Sequence, residues 1–251
     1  MPPAPDSFPN APPTERFAVI VSHGSPSDPA PQEELMQALA ATVAPLVPGW
    51  QVEGVTLAAP GRFEAVLERG ETSGETPVVY PFFMARGWFT ETHLINRIGA
   101  RAAHVLAPTG TDPALPTLVS RLLNDTLARN GWHAAETALL LAAHGSRTHP
   151  DSAESARVIT QMLDHVMGFR ATVTGFIEQE PFLTDTARDL GQAICLPFFA
   201  MNAGHMLTDL PEALSMAQFS GPVLPALIDA PGLPALIADS LRRHANERPA
   251  A

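Results

Sequence analysis

LLLAAHGSRTHP, residues 139–150, runs an apolar stretch straight into a small polar loop, and FAVIVSHGSPSDP, residues 17–29, does the same. An apolar run of five or six residues bounded by Gly, Ser and Pro predicts a buried strand ending in a turn. The segments beyond the two loops are also alike. Residues 33–46 place apolar side chains at 35, 36, 39, 43 and 46, near a helical period, and residues 152–166 predict the matching helix. Second strands come next at 52–57 and 171–177, short helices at 63–69 and 182–190, and third strands at 78–83 and 193–199, both ending in Pro-Phe-Phe. Helices at 90–101 and 206–216, brief strands at 105–106 and 223–227, and helices at 113–129 and 233–245 complete each half. The chain is an internal duplication. His23 and His144 lie 121 positions apart, whereas Pro81 and Pro197 lie 116 apart, a drift that one short deletion explains.

Strands that alternate with helices predict parallel sheets, because a parallel connection needs a crossover and the crossover helix covers a sheet face. The expectation is an α/β fold of two tandem lobes, 16–131 and 132–251, each a small parallel sheet flanked by helices, with a cleft between them. Residues 1–15 contain six prolines and little to bury, which predicts a disordered tail. In such sheets ligands bind beyond the carboxyl ends of the strands. Both His-Gly-Ser loops and both segments after Pro-Phe-Phe therefore mark the functional edge.

Composition removes several functions. All 15 basic residues are arginine, so a P-loop lysine and Schiff-base chemistry are excluded. A formal charge of -11 argues against a nucleic-acid partner. The single cysteine, Cys195, lies inside an apolar run and reads as packing; it can supply neither a disulfide nor a cysteine-built metal site. No apolar run is long enough to span a membrane and the N-terminus has no signal-peptide pattern, so the expected location is cytoplasmic.

A histidine at a strand end is more often structural than a ligand. Three features of the second half argue for chemistry. His144, Gly145, Ser146 and Arg147 connect a strand to a helix, bringing an imidazole beside free backbone N–H groups. Gly204 and His205 open a helix after the third strand, and Glu178 ends the second. Two histidines and a carboxylate thus converge from three strand ends.

HGSR after an apolar strand, FIEQEP after the next and PFF followed by GH-x-x-x-DLP resemble the sirohydrochlorin chelatase family, the CbiX and SirB group of class II chelatases, in its two-repeat form. The resemblance covers nearly all of the chain from Phe17 and is strongest from Leu139 to Pro211. It implies ATP-independent insertion of Co²⁺, Fe²⁺ or Ni²⁺ into sirohydrochlorin or a related tetrapyrrole, with the metal as substrate and no tightly bound cofactor. It also implies that His144 and His205 hold the metal and, with Glu178, are catalytic. Imidazole titrates near neutral pH, so it can coordinate a divalent ion or accept a pyrrole proton. Imidazole and carboxylate ligands do not choose among first-row divalent metals.

Gly145, Ser146 and Gly204 are expected to contact substrate. Arg147 fits either a substrate carboxylate or a solvated position. The first half departs from the pattern: His23 survives, Pro26 replaces the arginine, LAAPG offers no glutamate, and Trp88 after Gly87 stands where the second half has His205. Its site reads as degenerate. His23 and Trp88 then form a wall, with Trp88 either stacked on a flat macrocycle or packed in core. The competing readings are a non-catalytic tetrapyrrole or metal carrier and a histidine phosphatase, and the residues before the two histidines, Ser22 and Ala143, do not include the arginine a phosphatase needs. A tetrapyrrole is the expected partner, and with two lobes in one chain either a monomer or a homodimer suffices.

Overall fold

The computed structural model describes residues 16–72, 74–146 and 151–247, and the backbone but not the side chains of Asp151, Ser152 and His205. The expected Pro-rich tail and Arg147 lie outside the described residues.

Two parallel sheets form, as the strand–helix alternation requires. The first has the order β2-β1-β3-β4, with β1 at Arg16–Ser22, β2 at Trp50–Thr56, β3 at Val78–Pro81 and β4 at His104–Val105. The second has the order β6-β5-β7, with β5 at Ala138–Ala143, β6 at Ala171–Phe176 and β7 at Ala193–Pro197. In each sheet the central strand is the one that runs into His-Gly-Ser. Chain order reverses beside it, so the loops after β1 and β3, and after β5 and β7, sit at a topological switch point where α/β sheets bind ligands.

Side-chain alternation sends successive strand residues to opposite faces, and both faces of each sheet are covered. Ala18 and Ile20 face a large shared core, while Phe17, Val19 and Val21 face an outer cluster. The outer layer of the first sheet is α2 (Arg62–Thr72) and α3 (Leu94–Ile98), which contribute Phe63, Leu67, Leu94 and Ile98. The outer layer of the second is α6 (Leu183–Thr186) and α7 (Asp209–Met216). Between the sheets lie α1 (Ala30–Val43), α4 (Leu115–Asn130), α5 (Asp151–Met167) and α8 (Leu233–Glu247). Contact of α1 with α8 and of α4 with α5 reproduces one pairing twice, as a pseudo-two-fold demands. Met36, Leu123, Leu163 and Ile237 from these four helices belong to a single buried cluster, so the two sheets close on one core.

A polar clasp also ties the halves together. Asp112, only 6% exposed, accepts from Ser240 and from Arg243, the latter at 3.0 Å, both on α8.

Several elements are shorter than the periodicity predicts. The helix expected over 182–190 is the single turn α6, and the strand expected over 223–227 is an isolated bridge between Val223 and Cys195. Helix 90–101 becomes a π turn, Trp88–His93, followed by the five residues of α3. The 11 residues of α2 against four in α6 place the deletion inferred from the repeat spacing.

Candidate active site between the sheets

His144 leaves the end of β5 and turns at Gly145, whose φ of +71° lies in the left-handed region that glycine adopts without a Cβ penalty. Its ring Nδ1 is 2.8 Å from the Gly145 carbonyl. A carbonyl only accepts, so Nδ1 carries the proton and Nε2 of the neutral ring keeps its lone pair. That Nε2 lies 3.8 Å from Glu178 Oε1, and both side chains are partly exposed at 38% and 43%. Glu178 is delivered by the backbone, because its N–H donates to the His144 carbonyl at 2.9 Å where β6 leaves the sheet. The arrangement presents an imidazole lone pair beside a carboxylate at the sheet edge.

Gln179 is a residue that sequence reasoning passed over. Its Oε1 accepts from the Ser146 N–H at 2.7 Å and fixes the loop from the side. Its position directly after Glu178 was the available signal. Gly145 is needed here a second time, since a Cβ would stand 2.7 Å from Gln179 Cγ.

Gly204 opens the 3-10 turn Gly204–Met206 after β7, at the same edge of the sheet, and His205 occupies the middle of that turn. The His205 side chain lies outside the described residues. Among the described residues no group of three His, Cys, Asp or Glu side chains gathers as a metal site, so the described part of the constellation is the His144–Glu178 pair.

His144, Gly145 and Ser146 line one side of a cleft of about 360 Å³, and residues 83–90 of the first half line the other. Trp88, 48% exposed, stacks on His93 with ring centroids 5.0 Å apart and an interplanar angle of 21°. Trp88 is therefore a wall residue and not core. Phe83, Met84, Arg86 and Phe89 share this wall. Glu178, Gly204 and His23 are not among the cleft's lining residues.

The first half repeats the loop and changes its surroundings. His23 Nδ1 contacts the Gly24 carbonyl at 2.6 Å, and Gly24 has a φ of +78°. The residue whose N–H meets the His23 carbonyl, where the second half has Glu178, is Ala58. Pairing of the Phe82 and Phe198 N–H groups with Val21 and Ala142 fixes a spacing of 116, which also matches buried Leu94 with Leu210 and Ile98 with Leu214. On that register Phe89, not Trp88, stands at the position of His205. Phe89 sets its ring edge-on to His23 at 4.3 Å.

Two α/β halves on one core, with a histidine–carboxylate edge at the switch point, define the class of two-lobed chelatase-type proteins. Comparison with known proteins makes this specific. The family model described as CbiX matches residues 138–244, the second half of the chain. The structure of CbiX described as the terminal enzyme for biosynthesis of siroheme in denitrifying bacteria is 47% identical, with 91% of this chain and 99% of that chain covered and a TM-score of 0.82. The chain belongs to the CbiX family. SirB from Bacillus subtilis with Fe³⁺ superimposes with a TM-score of 0.72 at 16% identity, covering 93% of this chain and 97% of that one. SirB from Bacillus subtilis subspecies spizizenii in complex with cobalt gives 0.65 at 14% identity, with the same coverages of 93% and 97%. At those identities the SirB likeness is one of fold. No curated protein matches the chain.

Proposed function

We propose that this protein inserts a divalent metal, Fe²⁺ in preference to Co²⁺ or Ni²⁺, into sirohydrochlorin or a closely related tetrapyrrole without ATP. The observation that carries the reading is His144: its Nδ1 is committed to the Gly145 carbonyl, and its Nε2 faces Glu178 at the rim of a cleft whose far wall is aromatic. Preference for iron and a place in sirohaem synthesis rest on the 47%-identical relative and its description as a siroheme enzyme.

Metallation exchanges two pyrrole N–H protons for one M²⁺ ion. His144, through Nε2, and His205 hold the incoming ion and then take up the leaving protons. Glu178, 3.8 Å from Nε2, passes protons from His144 toward solvent, for which its exposure suits it. Gly145, Ser146 and Gly204 bring backbone close to the macrocycle, Arg147 meets one of its carboxylates, and His23 and Trp88 back the opposite wall. The metal enters as substrate and no resident cofactor is needed. One chain holds both walls of the cleft, so a monomer suffices. No described helix is long and apolar enough to cross a membrane, which agrees with action in the cytoplasm.

The test is anaerobic absorbance spectroscopy of sirohydrochlorin with Fe²⁺, Co²⁺ or Ni²⁺, comparing the wild type, His144→Ala, His205→Ala and an enzyme-free control. Metal-dependent conversion above the control, fastest with Fe²⁺ and lost in both variants, is expected. Tight binding with no acceleration identifies a carrier instead.

A further inference from the structure

Arg86 sits in the aromatic wall of the cleft, between Ala85 and Gly87, and is exposed. Several of the other described arginines are committed, among them Arg62, Arg69, Arg97 and Arg243, which pair with Glu33, Glu53, Glu64 and Asp112. Among the described residues no carboxylate pairs with Arg86. In a chain of net charge -11, a guanidinium left without a counter-ion beside a binding cleft is conspicuous.

The duplication explains why it is unpaired. At the spacing of 116, Arg86 corresponds to Asn202, and Asn202 donates to Asp229 in the segment after β7. Asp229 has a counterpart in the first half. The Gly110 N–H meets the Phe83 carbonyl as the Leu227 N–H meets the Phe199 carbonyl, both at 2.9 Å, which puts Asp112 two residues on from Gly110 just as Asp229 is two on from Leu227. Asp112 has been diverted. It faces the other half, where Ser240 and Arg243 of α8 occupy it. The acid that holds this loop in the second half is thus spent on the clasp in the first, and Arg86 is released to the cleft.

We infer that Arg86 is a substrate-recognition residue that binds a peripheral carboxylate of the macrocycle. The inference rests on the proposed function. Tetrapyrroles of the sirohydrochlorin type carry acetate and propionate groups around a flat conjugated ring. The wall offers the matching pair of features, Trp88 and Phe89 for the ring face and Arg86 for its charged rim. A guanidinium suits this better than an ammonium, because its planar fork takes a carboxylate bidentately.

The experiment compares wild type, Arg86→Gln and Arg86→Lys with two ligands, sirohydrochlorin and its fully methyl-esterified form, by quenching of tryptophan fluorescence and by steady-state metallation. For the acid, Arg86→Gln raises Kd and KM about tenfold with kcat within about twofold, and Arg86→Lys falls between. For the ester, wild type and Arg86→Gln bind alike. Equal Kd values for the acid, or an equal loss on acid and ester, overturns the assignment, with thermal midpoints excluding a folding defect. A wild type that binds the acid without metallating it sinks the proposed activity while Kd still judges Arg86; a wild type that binds neither ligand sinks both.

Discussion

The two His-Gly-Ser loops are one backbone device in two chemical settings. Each histidine caps a central strand, anchors Nδ1 on the next carbonyl at 2.6 or 2.8 Å, and turns at a left-handed glycine. The second loop faces Glu178 and shares its sheet edge with His205; the first faces Ala58 and has Phe89 against its ring. Loss of the carboxylate and of the second imidazole, with Pro26 in place of Arg147, therefore separates a wall from a candidate site built on the same strand-to-loop backbone. The hydrogen bonds that shape the loop are part of the fold and do not by themselves make a site. That the CbiX family model matches only 138–244 fits this division.

The sharpest way to break the comparison is to treat both histidines alike. His144→Ala should lower the metallation rate by at least about 100-fold, the scale on which a general base or ligand contributes. His23→Ala should cost less than about fivefold, since its ring already packs on Phe89. Equal losses would mean that both lobes work. The converse experiment rebuilds the lost site: Ala58→Glu with Phe89→His restores a carboxylate and a second imidazole beside His23. Titration of Co²⁺ against the free protein should then rise from about one bound ion to about two, since imidazole and carboxylate suit such ions. An unchanged stoichiometry would show that more than two residues were lost.

Glu33 tests whether the first half has become structural. Its buried carboxylate accepts from the Thr56 N–H and hydroxyl at 2.7 and 2.9 Å and pairs with Arg62 at 3.1 Å. Among the described residues the second half repeats no such network: Phe176 takes the place of Thr56, and its N–H goes to the Pro181 carbonyl at 2.9 Å. Glu33→Ala strands a buried donor beneath the His23 loop, so it should lower unfolding free energy by about 2–3 kcal/mol in urea titrations. Metallation at 25 °C should stay within about twofold.

Much of this was legible in the sequence because duplication repeats its landmarks. The two HGS and two PFF tripeptides marked the strand ends, and the apolar runs located all seven strands to within two residues. Hydrophobic pattern failed where a segment is apolar for another reason. Residues 182–190 pack as one turn because the deletion left no room for a helix, and Val223 makes only a bridge to β7. At the site, His144 and Glu178 were legible because both stand at strand ends. The first-half counterpart of His205 was misread by one position, Trp88 for Phe89, because aligning Gly87 with Gly204 competes with the spacing of 116 that the pairing of Phe82 and Phe198 with the central strands reveals. The clasp that diverts Asp112 was illegible, since it joins residues 128 and 131 apart in the chain.

The smallest effect comes from exchanging one repeat's residue for the other's where both are plain core. Cys195 pairs with Leu140 as Val79 pairs with Val19, so Cys195→Val installs in β7 what β3 already carries. Both positions are fully buried, and the swap should change stability at neutral pH by less than about 1 kcal/mol. Above neutrality the two proteins should part. Burial pushes the Cys195 thiol up to about 12, from 9.0 in the exposed group. Below pH 9 the thiol is protonated folded or unfolded, so it adds no pH dependence. As pH rises from about 9 toward 12 only the unfolded chain gives up the proton, which favours unfolding and costs the wild type stability. The valine variant lacks that term, so its unfolding free energy should fall less steeply across this window. Parallel curves would mean that the thiol reaches solvent, and would remove the reading of Cys195 as packing that its equivalence to Val79 supports.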